Sequence, residues 1–80
     1  MTLEILTPDK KVFSGEATSV TVPGTQGSFT VLNNHAPIIS TLEAGEVKVK
    51  GSQGTEVFQI NGGVIEVLKN KVVLLAESLA

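Results

Sequence analysis

The sequence predicts an all-β fold, a β-sandwich or flattened barrel of about ten short strands forming one domain over residues 1–80. Three observations carry this. The chain has 80 residues, which is room for one small domain. It holds 11 Val, 5 Ile and 8 Thr, β-branched side chains that suit a pleated, half-buried strand better than a helix. Turn residues recur throughout: Pro8-Asp9, Pro23-Gly24 through Gly27, Asn33-Asn34, Gly45, Gly51 through Gly54, Gly62-Gly63 and Asn70. They divide the chain into runs of about four to eight residues, none long enough for a helix of three turns.

Taken in order, the runs alternate as strands should. Val20 and Val22 precede the Pro23–Gly27 turn, and Phe29 and Val31 follow it. Glu46-Val47-Lys48-Val49-Lys50 is the clearest strand, with apolar and charged residues in strict alternation and Val47 and Val49 on one inward face. Gly51-Ser52-Gln53-Gly54 links it to Glu56–Asn61, where Phe58 and Ile60 share a face, giving an antiparallel hairpin. A second hairpin joins Val64–Leu68 to Val72–Ala76 across Lys69-Asn70-Lys71, with Asn70 suited to a left-handed turn position. Val72-Val73-Leu74-Leu75-Ala76 is apolar on both faces, so it is expected to sit centrally or under a partner. The predicted core is Val20, Val22, Phe29, Val31, Val47, Val49, Phe58, Ile60, Ile65 and Val67.

Composition narrows the function. Six lysines and no arginine against eight carboxylates give a net charge of −2, and the only aromatic residues are Phe13, Phe29 and Phe58. Phosphate neutralisation and base stacking both lack their residues, so nucleic acid is not an expected partner. The absence of cysteine removes disulfides and thiolate metal sites and points to a reducing compartment. No signal-like segment and no run of about 18 apolar residues occurs, so the protein is expected to be soluble and not to insert directly into a membrane.

The chemistry-bearing residues are few. His35 is the only histidine. A zinc site there would need carboxylates for all its other ligands, and Ser28 and Ser40 have no nucleophile motif around them. Its setting, Asn33-Asn34-His35-Ala36-Pro37, reads instead as a braced polar loop or a partner contact. The two GxxG segments lack the helices and basic neighbours of an RNA-clamping loop. No phosphate-loop spacing is present, and the glutamates are scattered. No catalytic, cofactor-binding or metal residues are therefore assigned. Lys69-Asn70-Lys71 on a hairpin, with Asp9-Lys10 on a turn, leaves one rival: a biotinyl or lipoyl carrier domain, also all-β and of similar size, with one lysine at a hairpin tip.

Phe13-Ser14-Gly15, Pro23-Gly24-Thr25-Gln26-Gly27, His35-Ala36-Pro37-Ile38, the Gly45 turn, Asn61-Gly62-Gly63-Val64-Ile65-Glu66-Val67, Asn70-Lys71-Val72 and Leu75-Ala76-Glu77 occur in this order without evident gaps. Together they resemble the epsilon subunit of the rotary F-type ATP synthase over nearly the whole chain. The resemblance implies a ten-stranded β-sandwich on the central stalk: a non-catalytic rotor component that helps connect the gamma subunit to the c-ring and couples proton or sodium flow to ATP synthesis. It implies no cofactor, and a peripheral place on the cytoplasmic face of the bacterial inner membrane. Family members usually add a C-terminal helical hairpin that can brake hydrolysis and in some binds ATP. This sequence stops at Ala80, where that hairpin would begin, so coupling without the brake is the expectation.

Site residues follow from the same resemblance. The family's acid that faces the c-ring, after a loop glycine, is matched here by Ser28, and a glycine two residues later by Thr30. The family's Pro-Gly before the histidine is matched by Asn33-Asn34, with Asn expected to supply the positive φ. Gamma-facing positions are matched by Thr7, His35 and Ser40.

Overall fold

The structure, a computed structural model, describes residues 1–80. Seven strands follow one another: β1 (Thr2–Leu6), β2 (Lys11–Glu16), β3 (Ser19–Val22), β4 (Phe29–Leu32), β5 (Ile38–Gly51), β6 (Gly54–Leu68) and β7 (Lys71–Ala76). They form one sheet in the order β2-β1-β7-β6-β5-β3-β4. Every neighbouring pair is antiparallel except β1 and β7, which run parallel from Thr2↔Lys71 to Leu6↔Leu75.

The all-β class holds, but the strand count is seven, not ten. Most of the difference lies at Gly45 and Gly62-Gly63, which bend β5 and β6 rather than end them; dividing both strands there would give nine. β5 and β6 pair in one register from Ile38↔Val67 to Gly51↔Gly54. A straight strand of 15 residues would measure about 46 Å at ~3.3 Å per residue, yet the longest dimension of the molecule is 26 Å. The long hairpin must therefore fold over. It does so where Gly45, Gly62 and Gly63 take φ of 159°, 105° and 158°. Side-chain alternation slips by one at the same place. Leu42 points inward before the bend in β5 and Val47 and Val49 after it, while β6 changes from Ile60 to Ile65 and Val67.

Bending one sheet makes two layers. One contains β2, β1, β7, the C-terminal half of β6 and the N-terminal half of β5. The other contains the remaining halves of that hairpin with β3 and β4. Their inner faces form a single apolar cluster that includes Leu3, Ile5, Val72 and Leu74 from the first layer and Val20, Val22, Val31 and Val47 from the second. Each such side chain contributes about 1.5–3 kcal/mol by leaving water. Among the predicted core residues, Val20, Val22, Val31, Val47, Val49, Ile60, Ile65 and Val67 are buried. Phe29 and Phe58 are corrections: both are only half-buried and pack against the cluster. Phe58 meets Phe13 of β2 edge to face, ring centroids 6.1 Å apart, so the aromatic pair closes the rim.

Turns place the remaining segments. Ser52-Gln53 joins β5 to β6 across the Gly51↔Gly54 pair, as the sequence predicts. Lys69 and Asn70, with φ of 50° and 61°, form a two-residue turn across Leu68↔Lys71, and both positive values suit the right-handed twist of the flanking strands.

Candidate partner-docking site

The sandwich has two ends, and the strand registers assign each loop to one of them. Where the hairpin bends, the Thr7–Lys10 turn and the 23–28 connection gather. Pro23 accepts a hydrogen bond from Glu43 N at 2.9 Å, and Thr25 N donates to Thr41 O at 3.1 Å. The opposite end carries the 33–37 loop, the Lys69-Asn70 turn and the Ser52-Gln53 turn.

The four residues named from the resemblance therefore do not form one cluster. Ser28 is exposed in the 23–28 connection at the bend end. Thr7 lies at that end too, where its N and Oγ1 both donate to Lys10 O, at 2.9 and 3.3 Å, and close the β1–β2 turn. His35 lies at the far end. Ser40 sits between them on β5, half-buried and sharing the inward side with Leu42, with its hydroxyl donating to Thr41 O at 3.1 Å.

The His35 loop is held by backbone geometry and one side chain. Asn34 takes φ of 63°, so asparagine does supply the left-handed position. Its N–H donates to Asn70 Oδ1 at 2.8 Å, tying the loop to the β6–β7 turn. His35 N donates to Leu32 O at 3.1 Å. The His35 ring is half-buried, and Nδ1 lies 2.6 Å from Ala36 O. A carbonyl only accepts, so Nδ1 is the donor in this contact. No three His, Asp or Glu side chains come together in a group that could hold a metal ion.

Sequence reasoning missed a larger feature. The outer faces of the two layers differ in character. On the β3–β4 side, the strand registers line up Thr30, Thr21, Lys48 and Val57, then Leu32, Ser19, Lys50 and Thr55. Thr21 and Thr30 hydroxyls bond each other at 2.9 Å. On the other side one row reads Thr41, Val64, Leu75, Leu6, and the next reads Ile39, Glu66, Val73, Glu4. Ile39 is 71% exposed, Leu75 51%, Leu68 49% and Val64 38%. The β3–β4 side exposes only Leu32 and Val57 among large apolar side chains, and a concentration of four on one sheet face left in water marks an interaction surface. The apolar character of 72–76 on both faces was its only sequence signal: β7 is central, and its outer side chains belong to this patch.

The model of the β-sandwich domain of the ATP synthase delta/epsilon chain matches residues 1–80. The chain belongs to this family. The ATP synthase epsilon chain of Chlorobaculum tepidum is 48% identical over 80 residues, covering 99% of this chain and 91% of that one. That of Sulfurimonas denitrificans is 47% identical over 76 residues, covering 94% of this chain and 58% of that one. Among solved structures, a chain of the Euglena gracilis mitochondrial ATP synthase, OSCP/F1/c-ring, superposes with a TM-score of 0.90 at 21% identity. It covers 98% of this chain and 51% of that one. A chain of the Tetrahymena thermophila mitochondrial ATP synthase central stalk and c-ring gives 0.85 at 17% identity, covering 99% of this chain and 64% of that one. These two likenesses speak for the sandwich fold. Membership also displaces the carrier-domain reading. Lys69 does stand on a two-residue turn, but Leu68 and Asn70 flank it where a carrier sets Met or Asp.

Proposed function

We propose that this epsilon-family chain is a non-catalytic rotor subunit of an F-type ATP synthase, forming one domain over residues 1–80 and joining the gamma subunit to the c-ring. It works peripherally, on the cytoplasmic face of a bacterial inner membrane. Family membership supports the setting, and the observation that carries the docking role is the apolar outer face of Ile39, Val64, Leu68, Leu75 and Leu6. A rotor part must transmit torque without slipping. A broad apolar sheet face gives adhesion, and loops at the two ends give direction.

The face takes the gamma subunit, together with the adjoining His35 loop; Ser40, half-buried on the side of β5 away from this face, contributes at the strand's free edge. Ser28, at the bend end beside the Thr7 turn, is directed to the c-ring with the 24–32 segment, which runs from there along β4 toward the His35 end. Because Ser28 is uncharged, that contact relies on shape and neutral hydrogen bonds and is weakly sensitive to salt. The test is reconstitution of an epsilon-depleted synthase in membranes. Leu75→Lys and Ile39→Lys should abolish assembly with gamma while the isolated chain stays folded. Ser28→Trp should leave gamma binding intact and reduce coupling. Unimpaired assembly by both lysine variants would refute the docking face.

A further inference from the structure

Two side chains on the apolar face carry charges that form no ion pair, Glu66 of β6 and Lys71 of β7. Glu66 lies on the outer side of β6 between Ile39 of β5 and Val73 of β7, with Val64 and Leu68 two residues away along its own strand. It is exposed and forms no ion pair. The other carboxylate of the same row, Glu4, is already matched, since Lys11 Nζ lies 3.3 Å from its Oε2. Lys71 lines a shallow depression with Glu66, Leu68 and Val73, yet stays beyond ion-pair distance.

This arrangement constrains the partner. Water solvates Glu66 while the face is open. Docking strips that water away, and an unpaired carboxylate enclosed by aliphatic side chains carries a penalty larger than the surrounding contacts easily offset. We infer that the surface of gamma docking here presents a Lys or Arg head to Glu66, ringed by aliphatic groups that meet Ile39, Val64, Val73 and Leu68. Glu66 thereby sets register and specificity on a face whose apolar contacts alone are non-directional. The inference rests on the gamma-docking reading above and adds the chemistry of the partner patch.

Binding of the full chain to purified gamma, measured by calorimetry from 0.05 to 0.5 M salt, tests it. With a cation opposite, Glu66→Gln should weaken binding by at least about tenfold and flatten its salt dependence, and Glu66→Lys should weaken it by a further tenfold or more. Without one, the sign reverses: Glu66→Gln and Glu66→Leu would bind tighter than the parent chain, and that result overturns the inference. Loss of salt dependence in Lys71→Met equal to that in Glu66→Gln would also overturn it, by making Lys71 the counter-charge. Failure of the docking reading is distinguishable, because Leu75→Lys would then bind as the parent chain does. Melting temperatures of the Glu66 variants should stay close to the parent, since the side chain is exposed.

Discussion

Replacing Gly63 with alanine tests the bent hairpin at its tightest point. A Cβ built there would lie 2.2 Å from Leu75 O, 3.0 Å from Ala76 Cα and 3.1 Å from Leu75 C, all backbone atoms of β7. No side chain can swing aside to make room. Gly63 pairs with Leu42 on one flank and Ala76 on the other, so any shift of the strand disturbs two ladders. Overpacking costs about 1–3 kcal/mol, and losing one or two ladder bonds adds about 1 kcal/mol each. A total near 2–5 kcal/mol compares with about 5–15 kcal/mol for the whole stability of a small domain. At roughly 4–8 °C per kcal/mol for a chain of this size, Gly63→Ala should lower the melting temperature by at least about 8 °C or prevent folding. Gly15→Ala is the control. Its Cβ would meet only the Phe13 ring, at 3.7 Å, an ordinary contact. Circular dichroism melts of both variants decide the matter. If Gly63→Ala melts within about 3 °C of the parent while Gly15→Ala behaves alike, the close approach of β6 to β7 at the bend is wrong.

Other consequences follow from the face assignments. Val47→Asp should unfold the chain by placing an unpaired charge in the core, whereas Lys48→Asp on the opposite side of β5 should be close to neutral; equal effects in urea melts would invert the faces. Leu74→Ala should cost about 2–5 kcal/mol in the same assay, and its exposed neighbour Leu75→Lys within about 0.5 kcal/mol, although only the latter impairs docking. Lys11→Ala breaks a partly exposed pair with Glu4 and should cost under about 1 kcal/mol, less in high salt.

Strands were legible where each side faces a different solvent. Glu46 to Lys50 alternates because β5 there has one face in the core and one in water. Glycines at 45, 62 and 63 read as ends because local chemistry cannot distinguish a chain that stops pairing from one that keeps pairing while it turns. The change of inward parity from Ile60 to Ile65 was the available clue, and it becomes intelligible only once both strands slip together. Phe29 and Phe58 looked like core by alternation, in phase with Val31 and Ile60, but in so small a sandwich the rim is where a ring fits. The docking face was less legible still. It takes one or two side chains from each of four strands, so no run of sequence displays it. Ser28 and His35 came from family likeness, and their exposure in loops at opposite ends carries no mark of a partner within the chain itself.

Titrating isotopically labelled chain with gamma and following its methyl signals tests the account most directly. The predicted result is that Ile39, Val64, Leu68 and Leu75 shift or broaden together at stoichiometric gamma, while Thr21, Thr30 and Val57 on the opposite face do not move. Perturbation centred on the Thr21, Thr30 and Val57 side, or none on the Ile39 side at saturation, would contradict it.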